Sequence, residues 1–205
     1  MKIKLLTLSL AALATAAFAQ TQPKQKPSAA PPKMTAEQQA MMEAMQKAGA
    51  LGPNHKQLQA MVGDWTYAMK FWMDPAGKPE ESTGATTYRS VMDGRFVQHE
   101  HKGMSMGMPF HGIGLLGYDN VTKQFQSHFF ENMSTGQMLM NGTYDPATKT
   151  YTFRGDMDDM MKPGTKVKVR ETVKVVDNNS QVLEWYETRG GKEAKTMEIT
   201  YKRKK

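Results

Sequence analysis

Apolar and polar side chains alternate with a period of two along the chain from residue 63 onward, which is typical of β-strands that bury one face. The first such run carries Trp65, Tyr67, Met69, Phe71 and Met73, and the turn signal Asp74-Pro75-Ala76-Gly77 follows it. Further turn signals separate the later runs: Asp93-Gly94, Asp119-Asn120, Ser134-Thr135-Gly136, Asp145-Pro146, Lys162-Pro163-Gly164, Asp177-Asn178-Asn179 and Arg189-Gly190-Gly191. The pattern therefore predicts about ten short strands joined as antiparallel hairpins.

These strands predict an all-β fold in which the sheet closes into an antiparallel up-and-down barrel. Closure is favoured because an open sheet of this many strands would expose its edges to aggregation, and a two-sheet sandwich is the alternative. The later strands have clear candidates for the inward face: Tyr151, Phe153, Val167, Val169, Val173, Val175, Met197, Ile199 and Tyr201.

Two short helices are predicted before the strands. Residues 34–50 form an amphipathic, methionine-rich helix, in which Thr35 is the N-cap and Gln38 its capping-box partner. We expect this helix to dock on the chain's own barrel, and a surface for a partner protein is the alternative. Gly52-Pro53 starts a second helix with His55 on its apolar side, where His55 would help to close one barrel end.

The N-terminal segment predicts export. Residues 1–19 begin with Lys2 and Lys4, continue with an apolar run and end in Ala17-Phe18-Ala19, which is the pattern of a secretory signal peptide. The apolar run is too short and too interrupted for a transmembrane anchor, and no later segment approaches membrane-spanning length. Residues 20–33 contain four prolines and three lysines, which favours an extended linker. Cleavage near Ala19 would place the barrel domain, residues 52–205, in the periplasm or outside the cell.

Composition narrows the choice of function. The 205 residues include 19 methionines and no cysteine, which excludes disulfide scaffolds, thiolate metal sites and thiol nucleophiles. The formal net charge is +7, and it falls to +5 when Lys2 and Lys4 are removed. Nucleic acid is not an expected partner, because the excess charge is concentrated in the linker and in Lys202-Arg203-Lys204-Lys205, and because export separates the protein from nucleic acid.

Several motifs resemble a known family. Gly63-Asp64-Trp65 at the first strand and Tyr201-Lys202-Arg203 at the last resemble the G-x-W opening of lipocalin-type barrels, in which a basic side chain of the final strand covers a Trp at the barrel floor. A longer match includes GPNHKQLQAMVGDW, MKFWMDP, MGMPFHGIGLLGYDN, GTYDPATKTYTF and MEITYKR. Through these stretches, about three quarters of the chain resembles the secreted bacterial family known as domain of unknown function 1579. The resemblance implies a lipocalin-like barrel and no established activity.

A cluster of soft metal donors lies between His99 and His111. Thioether and imidazole groups suit copper, above all Cu(I), and M-x-M-x-M spacing would place three sulfurs on one side of an extended chain. The candidate copper ligands are Met104, Met106, Met108, His101 and His111. The alternative is a flexible apolar stripe that lines the barrel, and the family resemblance extends over Met106 and Met108.

The face of the strand that carries His99 and His101 is ambiguous. These histidines share a face with Val97, whereas Phe96, Gln98 and Glu100 share the other. A buried Phe96 face would place the Glu100 carboxylate inside the barrel, where it needs a partner or a ligand. We expect the histidines on the solvated face, and the alternative is a buried Val97 face with both histidines lining the interior.

Glu171 is the strongest polar candidate for the barrel interior. It is in phase with Val169 and Val173 on an apolar strand, so it points inward unless a bulge turns it outward. An inward carboxylate could bind a ligand amine or hydroxyl, or could pair with an arginine such as Arg95 or Arg154. The candidate ligand-contacting residues are Glu171, Glu100, Tyr67, Met69, Met106, Met108 and His55.

The chain lacks the sequence motifs of common catalytic sites. It contains no G-x-S-x-G elbow, H-E-x-x-H helix, phosphate-binding loop or dinucleotide fingerprint. The leading hypothesis is therefore a non-catalytic module that binds a small apolar or amphipathic molecule in the barrel. A periplasmic copper-handling protein is the alternative.

Overall fold

The computed structural model describes residues 34–205, so the predicted signal peptide and linker lie outside the described residues. Helix α1 spans Ala36–Gly49 and helix α2 spans Pro53–Gln59. Ten strands follow: β1 Gly63–Phe71, β2 Glu80–Val91, β3 Phe96–Ser105, β4 Met108–Asp119, β5 Gln124–Glu131, β6 Met138–Asp145, β7 Thr150–Asp158, β8 Lys166–Asp177, β9 Ser180–Arg189 and β10 Lys192–Arg203. None of the described helices is both long and apolar enough to cross a membrane.

The ten strands close into a single antiparallel up-and-down barrel. Each strand pairs with its neighbours in sequence, and β1 completes the ring by pairing with β10, with Tyr67 opposite Tyr201. Closure leaves no free strand edge in this sheet, which confirms the predicted barrel and rules out the sandwich. The register shifts at two places, next to Val175 on β8 and next to Met197 on β10.

Helix α1 has the predicted capping box and a different position from the one predicted. Thr35 accepts a hydrogen bond from the Gln38 backbone, and the Gln38 side chain accepts one from the Thr35 backbone. None of the helix residues is buried, so the expectation that its methionines dock on the barrel is wrong. The buried apolar side chains of the barrel form one internal cluster, and this cluster includes no residue of α1. The C-terminal end of the helix is hydrogen-bonded to the barrel: Asn120 donates to the carbonyls of Ala48 and Ala50.

Helix α2 closes one barrel end. Its Leu58 is fully buried, and Trp65 at the start of β1 donates its indole N–H to the carbonyl of Met61, at 2.9 Å. The Arg203 guanidinium lies 4.2 Å from the centre of the Trp65 ring and donates to the carbonyls of Ala60 and Val62. The Trp and basic residue implied by the lipocalin resemblance are therefore both in place at the barrel floor.

Candidate functional site in the barrel interior

The barrel encloses a cavity of about 310 Å³. It extends from Leu58 and Met61 beside helix α2 toward Phe110 and Met138 near the opposite end, where the β3–β4 and β5–β6 connections lie. Most of the lining is aromatic or aliphatic: Leu58, Met61, Tyr67, Met69, Tyr88, Phe110, Leu116, Phe129, Met138, Met140, Tyr151, Phe153, Val173, Leu183, Trp185, Met197, Ile199 and Tyr201. Its polar lining consists of His99, His101, Ser127, Glu171 and Gln181.

Glycines on neighbouring strands make room for the rings inside the barrel. A Cβ atom on Gly84 or Gly103 would overlap the Tyr67 phenol, and one on Gly114 would overlap the His99 imidazole. These inward positions hold no side chain of their own, so the rings can approach the backbone of the wall closely. The glycines therefore decide where the aromatic and histidine side chains stand in the cavity.

The two histidines of β3 form a buried hydrogen-bonded chain with β2. His101 Nδ1 lies 2.8 Å from Thr86 Oγ1, and His101 Nε2 lies 2.8 Å from His99 Nδ1. The chain ends at His99 Nε2, which is buried and has no hydrogen-bond partner among the described residues. The expectation that the histidines face solvent is therefore wrong. Val97, His99 and His101 are the three buried positions of β3, and Gly114 on the neighbouring strand leaves room for the His99 ring.

Burial keeps both imidazoles neutral. It lowers the pKa of His101 to about 4, and burial together with the neighbouring His101 lowers the pKa of His99 well below its ordinary value. The His99 ring stacks between Tyr88 and Phe129, with ring centres 5.5 and 5.8 Å away. Neither histidine is therefore protonated near neutral pH, and the pair is held by aromatic packing.

Glu171 is the single carboxylate among the residues that line the cavity. No bulge displaces it: it lies opposite Phe153 on β7 and Trp185 on β9, and the register shift of β8 comes later, beyond Val175. Burial raises the pKa of Glu171 to about 7. The charge of Glu171 adds to the effect of burial in raising the pKa of Tyr88 and of Tyr201, so these two phenols lie within its electrostatic reach.

The other predicted ligand-contacting residues divide between the cavity and the surface. Tyr67 and Met69 line the cavity. His55 is buried but does not line the cavity. Its Nδ1 accepts a hydrogen bond from the Gly52 backbone N–H, and its ring packs edge-on against Tyr118. His55 is thus a plug residue of the closed end, and its inclusion among the ligand contacts is not supported by this position.

Glu100 lies on the outer face of the barrel, so the placement of this carboxylate inside is wrong. It accepts hydrogen bonds from Lys102, at 2.7 Å, and from His111, at 2.8 Å. These two hydrogen bonds lower the pKa of Glu100. Because Val97, His99 and His101 occupy the inner face of β3, strand geometry sends Glu100 outward.

The predicted copper ligands do not converge. His101 lies inside the barrel and His111 outside it, where it binds Glu100. The chain reverses at Met106-Gly107, both of which have positive φ, so Met104, Met106 and Met108 do not share one side of an extended strand as predicted. Met106 and Met108 are half-exposed at this turn and are absent from the cavity lining. Within residues 34–205, no three His, Asp or Glu side chains form a metal-binding group.

Several cavity residues were missed from the sequence. Tyr88, which lines the cavity, and Thr86, which is buried beside His101, alternate with Thr87 and Arg89 on β2. This is a weak inward signal because both faces carry polar groups. Trp185 lies on β9, where apolar and charged residues also occur on both faces. The barrel register, rather than the local pattern, places Tyr88 and Trp185 at the cavity.

Fold and site together define a closed antiparallel β-barrel with an apolar internal cavity. The chain belongs to the family of proteins of unknown function DUF1579, whose family model matches residues 50–203. The chain matches none of the curated proteins in sequence.

Two solved structures share the barrel fold. Rv2717c from M. tuberculosis is 14% identical, with a TM-score of 0.54 over 76% of this chain and all of its own. The S-type phycobiliprotein lyase CPES from Guillardia theta is 11% identical, with a TM-score of 0.52 over 78% of this chain and 97% of its own. At these identities the likeness shows the fold alone.

Proposed function

We propose that this protein is an exported, non-catalytic binder of a small apolar or amphipathic molecule, which it holds inside the barrel. The observation that carries the proposal is the cavity of about 310 Å³, which the barrel's own side chains leave unfilled. Protein interiors are ordinarily packed with few voids larger than a water molecule. A space of this size is therefore a feature that a ligand would explain.

The character of the lining supports the same proposal. Ligand pockets have volumes of roughly 300–1,000 Å³ and combine apolar walls with a few polar groups that orient the ligand. Here the walls are aromatic and methionine side chains, and methionine adapts its shape to irregular ligands. Glu171 and Gln181 supply polar atoms among them. Export is supported by the signal-peptide pattern of residues 1–19.

The proposal is tested by ligand capture and by filling the cavity. Native mass spectrometry of the protein isolated from its own host should report a bound organic molecule. In titrations, n-octanol should change the fluorescence of Trp185, and Val173→Phe should abolish this change because the larger ring occupies the cavity. Lys174→Phe is the matched control, since Lys174 points outward on the same strand. A wild-type protein that carries no ligand and ignores n-octanol contradicts the proposal.

One observation supports a second candidate function, which is Cu(I) binding. Met104 and Met106 border a small surface depression of about 200 Å³ that Met69 also lines, so three thioethers remain near one another after the histidines are set aside. Thioether sulfur suits Cu(I) in compartments where thiolates oxidise. This donor set differs from the predicted one, since Met69 replaces Met108 and both histidines.

A further inference from the structure

We propose that the cavity selects ligands that carry a cationic amine, with the ammonium group paired to Glu171 and the apolar body held among the surrounding rings. This inference rests on the proposed function and narrows it to a class of ligand. It follows from what Glu171 lacks, from what surrounds it and from the size of the space.

Glu171 has no cationic partner in the part of the chain that the structure describes. No lysine or arginine lines the cavity, and the acidic and basic side chains that form ion pairs do so elsewhere. Arg95 and Arg154, the partners considered from the sequence, do not line the cavity either, and no hydrogen bond contributes to the properties of the Glu171 carboxyl. Glu171 is partly exposed, and the space it faces is the cavity. Carboxylates withdrawn from bulk water are ordinarily paired, so an unpaired one that faces a binding cavity leaves its charge to be met by the ligand.

The groups that face Glu171 are suited to an organic cation. Phe153 and Trp185 are its register neighbours on the two adjacent strands, and both rings line the cavity. A cation near the face of an aromatic ring is attracted by the ring's electrons, and this attraction strengthens when water is removed. An ammonium beside Glu171 would therefore combine a charge pair with flanking aromatic surface.

The remaining polar groups in the cavity do not compete for this role. The phenols of the cavity stay uncharged because burial raises the pKa of each: Tyr67 of β1, Tyr88 of β2, Tyr151 of β7 and Tyr201 of β10. Ser127 of β5 and Gln181 of β9 are neutral. His99 and His101 of β3 are neutral at pH 7, because burial lowers the pKa of each. Glu171 is thus the single group in the cavity that can carry a charge near neutral pH.

The volume limits the ligand to a small molecule. About 310 Å³ corresponds to roughly ten water molecules at about 30 Å³ each. A primary alkylamine or a small aromatic amine fits this space.

Three probes of equal chain length separate charge recognition from apolar filling. n-Octylamine, n-octanol and octanoate are titrated into the protein at pH 8, with Trp fluorescence and calorimetry as readouts. We expect n-octylamine to bind at least tenfold more tightly than n-octanol, and octanoate to bind most weakly. Glu171→Gln should reduce n-octylamine affinity at least tenfold and change n-octanol affinity less than about twofold, because only the charge pair is lost. Glu100→Gln, which alters a carboxylate on the outer face, should change neither.

The pH dependence provides a second signature. The ionised carboxylate pairs with ammonium, so n-octylamine affinity should rise between pH 6 and pH 8, on the order of tenfold for a carboxyl whose pKa is about 7. Alkylamines stay protonated over this range, as lysine does. The pKa of His101, about 4, lies below this range, so that imidazole does not contribute. Glu171→Gln should remove the rise.

The outcomes separate this inference from the proposed function. If n-octanol binds as tightly as n-octylamine, and Glu171→Gln leaves both unchanged, the amine inference is overturned while the cavity remains a binding site. A preference for octanoate overturns it as well. If none of the three probes binds the wild-type protein, the proposed function fails together with it. Retained n-octanol binding by Glu171→Gln shows that the variant is folded with its cavity intact.

Discussion

The Arg203 guanidinium covers the face of Trp65 at 4.2 Å and joins the last strand of the barrel to the first. The same guanidinium donates to the carbonyls of Ala60 and Val62, beyond the end of helix α2, and to that of Asn178 at the β8–β9 turn. One side chain therefore ties three separate parts of the chain at the closed end. The Trp65 ring is fully buried, and its indole N–H donates a hydrogen bond to the Met61 carbonyl.

Loss of either partner should destabilise the barrel. Trp65→Ala should lower the free energy of unfolding by about 3–5 kcal/mol, because it empties a large buried aromatic site. Arg203→Lys should lower it by about 1–3 kcal/mol, since lysine cannot reproduce the forked hydrogen bonds. Urea melts measure both, and Trp72→Ala, at a partly exposed site, should cost less than Trp65→Ala. A Trp65→Ala loss below about 1 kcal/mol would mean that the ring does not support the floor.

Gly114 should tolerate no side chain, because a methyl group there would overlap the buried His99 ring. We expect Gly114→Ala to cost about 1–3 kcal/mol through displacement of His99 and of the stacked Phe129. Gly136→Ala is the matched control, since the space around Gly136 is open, and it should stay within about 0.5 kcal/mol of wild type. Equal melts for the two variants would contradict the close packing of His99.

The histidine pair should make the protein sensitive to acid. The folded-state pKa of His101, about 4, is below its unfolded value of 6.5, so the unfolded state takes up protons first as pH falls. Stability present above pH 6.5 is therefore lost as pH falls toward 4, by about 3 kcal/mol from His101 alone. In urea melts measured at each pH, His101→Gln should remove the part of the acid-induced stability loss that comes from His101. His128→Gln, at an exposed site, should not remove it. An unchanged acid slope in His101→Gln argues against a neutral buried pair.

Glu171 should affect stability with the opposite sign. Its folded-state pKa of about 7 is above the ordinary 4.5, so the folded state keeps a proton that the unfolded state has released. The resulting stability is present below pH 4.5 and is lost as pH rises through 7. Glu171→Gln stays neutral throughout, so its stability relative to wild type should increase by up to about 3 kcal/mol between pH 5 and pH 8. Glu100→Gln should show no such trend, and a flat difference for Glu171→Gln would place the carboxyl in contact with water.

Copper binding depends on sulfur, whereas apolar contact depends on volume. Replacing Met69, Met104 and Met106 by leucine should change the free energy of unfolding by less than about 1.5 kcal/mol per site, because leucine and methionine side chains are similar in size. The same variant should lose Cu(I) binding in a competition titration, since leucine has no donor atom. Met41, Met42 and Met45 on α1 provide a control set for replacement outside the barrel. Equal Cu(I) affinity in the wild type and in the Met69, Met104 and Met106 variant would contradict the proposed donor set.

The sequence by itself determined the strands, most of their inward faces and the closed end of the barrel. Alternation of polar and apolar residues is a local property, so Trp65, Tyr67 and Met69 on β1 and Val169 and Val173 on β8 could be assigned to the interior without a structure. For Glu171 the alternation left an outward bulge open, and the regular pairing of β8 at that position decided the matter. The matching motifs at Trp65 and Arg203 likewise predicted the floor that the structure shows.

Only the tertiary structure decided the faces and contacts that depend on other strands. On β3 each face carries an apolar residue and polar ones, so alternation could not choose between His99 and Glu100; glycine at position 114 of β4 leaves room for the imidazole on the inner side. The chain reversal at Met106-Gly107 took Met108 away from the strand face that carries Met104, and the methionines of α1 remain exposed. These outcomes depend on which backbone lies opposite which side chain, and register between distant strands is set by the closed sheet as a whole.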